Sequence, residues 1–174
     1  GSAAVDVALG HAERGLTAVK PRVLGQPHDL VVLAAVRAAL PADVHLMLDA
    51  NEKCDIVTAR WLLDAARDHG VLYVEEPLPS DSLHGYRALA RTAASTVAAG
   101  EHLQGRGAFL PFLSEGLVGV IQPDLAMAGG LTPIVEIAAM AAAFNVSVAP
   151  HFLPGLFAHL AAALPAVTWL EDFP

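Results

Sequence analysis

Four short, mostly apolar runs in this chain each close on an acidic residue, and that recurrence restricts the fold more than any other feature. Leu46-Met47-Leu48 ends in Asp49, and Val71-Leu72-Tyr73-Val74 ends in Glu75. Thr96-Val97-Ala98-Ala99-Gly100 ends in Glu101, and Val118-Gly119-Val120-Ile121-Gln122-Pro123 ends in Asp124. Runs of this length between turn signals read as buried parallel strands. Carboxylates at the C-terminal tips of successive strands mark the face where an α/β barrel keeps its chemistry.

Strand-like and helix-like segments alternate along the whole chain. Strands are expected near 17–22, 44–49, 71–75, 96–100, 117–121, 146–149 and 167–171. Helices are expected near 3–14, 28–40, 55–69, 82–93, 106–115, 132–144 and 155–163. Asp55 is placed to cap the helix that Gly70 ends, and Thr132-Pro133 reads as an N-cap followed by a first-turn proline. Ala59, Leu62, Leu63 and Ala66 form an apolar stripe at helical spacing, with Arg60, Asp64, Arg67 and Asp68 facing away.

Such alternation leaves a closed (β/α) barrel or an open doubly wound sheet. An open sheet usually carries a Gly-rich phosphate loop after its first strand. Here Val23-Leu24-Gly25-Gln26-Pro27 follows instead, and the late Gly129-Gly130 reads as a turn. The expected fold is therefore α/β, a TIM-type (β/α) barrel. Seven strands are legible where eight close a barrel. The expectation is that a strand lies upstream, the alternative being a partner chain that completes the ring.

Composition excludes several classes of function. With 55% hydrophobic residues in 174 the chain can bury a substantial core, yet no apolar stretch is long enough to span a bilayer. The net charge is −8 and Lys20 and Lys53 are the only lysines, so nothing resembles a nucleic-acid-binding stripe. A lone Cys54 excludes an internal disulfide and a cysteine-based metal site. Without a signal-like N-terminus, a cytoplasmic enzyme is expected.

Asp49, Glu75 and Glu101 stand 26 residues apart in both steps, from 49 to 75 and from 75 to 101. Equal spacing through one βα unit puts them at matching heights on neighbouring strands. Converging carboxylates repel unless a cation sits among them, and hard oxygen donors suit Mg²⁺. His151 also ends a strand, one beyond Asp124, so that a carboxylate–imidazole pair could act as a general base. Lys20 and Arg22 alternate on the first strand and share one face, where buried cations need an anion to meet. Glu171 closes the last run, Thr168-Trp169-Leu170, where it could hydrogen-bond an enolate oxygen.

Taken together these stretches resemble the enolase superfamily, and within it the mandelate racemase subgroup. The matching segments are Gly15-Leu16-Thr17-Ala18-Val19-Lys20-Pro21-Arg22, Leu48-Asp49-Ala50-Asn51, Val74-Glu75-Glu76-Pro77 and Ala99-Gly100-Glu101-His102. They continue with Gln122-Pro123-Asp124, Gly129-Gly130-Leu131-Thr132, Pro150-His151 and Trp169-Leu170-Glu171. The resemblance implies a (β/α)7β barrel, of which residues 1–174 would be strands two to eight, without the first strand and the family's α+β capping domain. It implies Asp49, Glu75 and Glu101 as Mg²⁺ ligands, His151 with Asp124 as one base, and the strand carrying Lys20 as the source of the other. Glu171 would stabilise the enolate, while Asn51, His102 and Lys20 would contact substrate.

Family reactions begin by removing the proton α to a carboxylate. Arg22 stands where the family often has a second lysine, and arginine stays protonated near neutral pH. One-base dehydration of a sugar acid to a 2-keto-3-deoxy acid is thus the expected reaction. Racemisation or epimerisation of a 2-hydroxy acid is the nearest alternative, and a catalytically silent barrel fragment is a third. The expected partner is a small carboxylate, with self-association favoured by an exposed barrel edge.

Overall fold

The computed structural model describes residues 2–172, which form two compact units. The first unit comprises Gly1–Pro79 with Thr92–Thr96. It runs α1 (Ser2–Glu13), β1 (Ala18–Val19), α2 (Pro27–Ala39), β2 (His45–Leu46), β3 (Leu48–Asp49), α3 (Ile56–Asp68) and β4 (Val74–Glu75). β1 pairs parallel with β2, and β3 pairs parallel with β4, setting Leu48 opposite Val74 and Asp49 opposite Glu75.

The strand expected at 44–49 is one extended run with a neighbour on each side: Leu72 N–H donates to the Leu46 carbonyl at 2.8 Å and Leu48 N–H to the Tyr73 carbonyl at 3.1 Å. Its first half bonds to β1, and Met47 N–H still donates to the Val19 carbonyl at 2.9 Å. The next parallel rung would need an N–H from Pro21, which has none. The ladder resumes beyond the gap, where Asp49 N–H reaches the Pro21 carbonyl at 3.1 Å and Val23 N–H the Asp49 carbonyl at 2.8 Å. That leaves Arg22 opposite Asp49 as an isolated bridge. Pro21 thus shortens the strand expected at 17–22 without diverting the chain.

α3 forms as its sequence dictates. Asp55 accepts the Thr58 N–H at 2.8 Å as N-cap, and Gly70, at φ +64, follows the C-cap His69. Ala59, Leu62, Leu63 and Ala66 are fully buried, while Arg60, Asp64, Arg67 and Asp68 are exposed.

The second unit comprises Ser80–Arg91 with Val97–Pro174. It contains α4 (Leu83–Ala90), β5 (Val97–Ala99), α5 (Gly105–Ser114), β6 (Val120–Ile121), α6 (Leu125–Ala128), α7 (Leu131–Ala143), β7 (Ser147–Val148) and α8 (Pro154–Ala163). β6 pairs parallel with both β5 and β7. Tyr86 meets Phe112 edge-on at 5.0 Å in a core that also buries Phe109, Ile121 and Phe157.

Three features of this unit differ from expectation. Residues 167–171 are not a strand: Val167 makes a single bridge to Val148, and Thr168 N–H donates to the Val148 carbonyl at 2.9 Å. The next rung would require an N–H from Pro150, so pairing stops there. α6 was not expected; Asp124 caps it by accepting from Ala126 and Met127 N–H at 2.8 and 3.0 Å, and Gly129 closes it at φ +96. α7 starts one residue before Thr132, with Gly130 as its N-cap, so Pro133 falls third in the first turn, where a missing N–H is harmless. The Gly129-Gly130 pair is, as expected, the turn between helices.

Candidate active site

In the first unit two buried carboxylates end neighbouring strands in register. Asp49 is 7% exposed and Glu75 is 1% exposed. Like charges placed this way need compensation, and the first strand supplies it. Arg22 donates from Nε and Nη2 to Asp49 Oδ2 at 3.0 and 2.7 Å, and Lys20 Nζ is paired with Glu75 Oε2. Both cations meet anions, but only Lys20 is largely buried as expected; the Arg22 side chain is 62% exposed.

The other Asp49 oxygen, Oδ1, accepts the Asn51 N–H at 2.8 Å. This bond helps the chain reverse direction through Asn51 at φ +40 and Glu52 at φ +63. Asn51 is consequently placed at the strand tip, half-buried. The acid that sequence reasoning passed over is Glu76, fully buried at φ +38, whose carbonyl accepts the Glu52 N–H at 2.8 Å. Its position before Pro77 gave no signal of this, since a residue before proline is steered to extended backbone rather than to positive φ.

In the second unit His151 is the hub. Asp124 and His151 face each other across a parallel bridge, and the side chains follow, with Nδ1 3.0 Å from Asp124 Oδ2. A carboxylate acceptor at Nδ1 fixes the proton there and leaves Nε2 as the basic nitrogen. Nε2 lies 3.3 Å from Glu101 Oε2. Burial alone would lower the His151 pKa. The hydrogen bond to Asp124 and the charges of Glu101, Glu171 and Asp124 outweigh it and hold the imidazole above its ordinary value. For Asp124, burial acts upward, but the His151 bond and the backbone N–H groups of Met127 and Ala126 bring its carboxyl below the usual range.

Gly100, just before Glu101, lies hard against the Gln122 backbone. A Cβ at this position would lie 2.9 Å from the Gln122 backbone nitrogen and 3.0 Å from Phe109 Cε1, and its φ is +142°. His102 is more exposed than Glu101, with Nδ1 3.7 Å from Glu101 Oε1. Glu171 accepts the Phe152 N–H on Oε2 at 2.9 Å. The second unit thus gathers Glu101, Asp124 and Glu171 around one imidazole. The first gathers Asp49, Glu75, Lys20 and Arg22 into two ion pairs.

A family model, the enolase C-terminal domain-like family, matches residues 3–174. The chain belongs to that family. Among relatives of this enolase C-terminal domain-like chain, L-talarate/galactarate dehydratase of Salmonella typhimurium is 34% identical over 164 residues. That match covers 92% of this chain and 41% of the relative. D-galactarolactone cycloisomerase of Agrobacterium fabrum is 37% identical, covering 97% of this chain and 46% of its own. Among solved structures, L-talarate dehydratase from Polaromonas sp. JS666, complexed with Mg and L-glucarate, matches with a TM-score of 0.90 at 34% identity. That match covers 97% of this chain and 48% of the other. The likeness bears out the TIM-type (β/α) barrel class expected from the sequence. The chain spans less than half the length of each of these three proteins. Among the described residues no helix is long and apolar enough to cross a membrane.

The donor chemistry fits a hard divalent cation. Within the first unit, Asp49 and Glu75 offer oxygen donors that are already desolvated and already balanced by positive charge.

Proposed function

We propose that this protein removes the proton α to the carboxylate of a small sugar acid and then eliminates water, yielding a 2-keto-3-deoxy acid. Asp49, Glu75 and Glu101 would hold Mg²⁺, which when bound supplies positive charge to the developing enolate. The reading is supported by their equal spacing in sequence, by their strand-end positions and by the dehydratases among the relatives.

The observation that carries the proposal is the 3.0 Å pairing of His151 Nδ1 with Asp124. With Nδ1–H committed to the carboxylate, Nε2 receives the α-proton. The imidazolium so formed is stabilised by Asp124 and can return that proton to the departing β-hydroxyl. The resulting enol then tautomerises to the 2-keto acid. Lys20 would orient the substrate carboxylate, and Asn51 and His102 would contact its hydroxyls. Glu171 would face the enolate side of His151. Arg22 is permanently charged and bound to Asp49, which suits anchoring a ligand position better than accepting a proton.

His151→Asn tests the role of the base. The variant should lose exchange of the α-proton in deuterated water, and exchange that persists would remove His151 from the reaction. Product analysis addresses the outcome. A 2-keto-3-deoxy acid means dehydration, whereas loss of optical rotation without a keto acid would mean racemisation, with Lys20 as second base. Titration calorimetry with Mg²⁺ alone should give a saturable heat that Asp49→Asn abolishes; a silent fragment would give none.

A further inference from the structure

We infer that Glu171 is a positioning residue, whose carboxylate clasps the Phe152 amide and so holds the turn that aims the His151 imidazole. The inference rests on the proposed function only in taking His151 as the base.

The turn immediately after His151 is strained. Phe152 and Leu153 have φ of +58 and +50, two consecutive bulky residues in left-handed backbone, where their side chains crowd the chain. Such a conformation persists only when its surroundings over-determine it, and it gathers at functional sites. The downstream side of the turn is anchored to α8. The Leu153 carbonyl accepts from Leu156 and Phe157 N–H, both at 3.0 Å, and Phe157 is fully buried. The upstream side is anchored by His151 N–H, which donates to the Pro123 carbonyl at 3.2 Å. Between these anchors the Phe152 N–H points at Glu171 Oε2, 2.9 Å away and 19 residues later in sequence.

A bond to an ionised acceptor is about twice as strong as a neutral one, which makes it a fit counterweight to local strain. The Phe152 ring lies 6.0 Å from the imidazole, centroid to centroid, at 31°. Any relaxation of φ at Phe152 therefore moves both the peptide carrying His151 and a ring beside it. Releasing the clasp should loosen the imidazole from Asp124; the charge of Glu171, which also acts on His151, is lost equally in Ala and Gln variants, so the difference between them reports the clasp. This is a different task from touching an enolate.

The test compares Glu171→Ala with Glu171→Gln in the intact protein by NMR. It follows hydrogen exchange at the Phe152 amide and the Nδ1 proton resonance of His151. In the Ala variant the Phe152 amide should exchange roughly tenfold faster or more, as loss of a charge-assisted bond implies, and the imidazole signal should broaden or vanish. The Gln variant keeps a carbonyl acceptor but not its charge, so its Phe152 amide should exchange at a rate between those of wild type and Ala, and it should retain an imidazole signal that Ala loses. An Ala variant that matches wild type in both readings overturns the inference. So does a folded Gln variant that loses both as completely as Ala. Neither reading requires turnover, so an inactive wild-type protein would count against the proposed reaction and leave the clasp to be judged by exchange.

Discussion

His151 Nδ1 lies 3.0 Å from Asp124 Oδ2, and the two residues are also partners in a parallel backbone bridge. The side-chain contact is therefore set by strand register, not by a flexible loop. Asp124 uses its other oxygen, Oδ1, to cap α6. One carboxylate thus orients an imidazole while being fixed in place by a helix N-terminus.

That coupling predicts a pH window for stability. The His151 pKa is raised in the folded protein, so its contribution is complete below its ordinary value of 6.5 and is lost as pH rises through the folded value. The Asp124 pKa is lowered, so its contribution is complete above 3.8 and is lost as pH falls through the folded value. Asp124→Asn retains a capping oxygen but removes the charge. In chelator-containing buffer the thermal midpoint of wild type should exceed that of the variant by most between pH 3.8 and 6.5. A difference independent of pH would contradict the pairing.

Two glycines separate close approach from backbone conformation. Gly70 has φ +64 and open space within 4 Å of where a Cβ would sit, so Gly70→Ala should cost about 1–2 kcal/mol for left-handed backbone alone. Gly100→Ala adds a collision with the Gln122 backbone and should cost more, by about 1–3 kcal/mol. Urea unfolding of both variants gives the comparison, and equal costs would show that the Gln122 contact is unimportant.

Leu62 is fully buried on the apolar face of α3. Leu62→Ala should lower unfolding free energy by about 2–5 kcal/mol, the transfer cost plus that of the remaining cavity. Exposed Arg60 on the same helix gives the control: Arg60→Ala should change stability by less than about 0.5 kcal/mol.

Cys54 is buried, and burial first, then the charges of Asp55 and Asp29, push its thiol up to about 11 from an ordinary 9.0. At about pH 8 the folded protein should carry about a hundredfold less thiolate than a free cysteine, and should react correspondingly slowly with a disulfide reagent. Denaturant should restore an ordinary rate. Fast labelling of the native protein would mean that Cys54 is reached by local opening.

Local signals in the residues account for much of this protein. Apolar runs, the 26-residue interval between acids, Asp55 before a helix and Gly70 after it all act within short stretches of chain. The strand ends at Asp49 and Glu75, and the one beside Asp124, could for that reason be read directly. The last strand could not, because pairing of 167–171 fails where its neighbour presents Pro150, a fact about another segment's missing N–H.

What the chain alone determined is the succession of strands and helices and which acids stand at strand tips, since periodicity and capping are short-range. Only the tertiary structure decided that Arg22 pairs with Asp49, that Glu76 is sealed from water, and that Phe152 and Leu153 adopt left-handed backbone held in part by Glu171. Local propensity opposes that turn. It exists because hydrogen-bond partners far along the chain, and a buried Phe157, outweigh the steric cost.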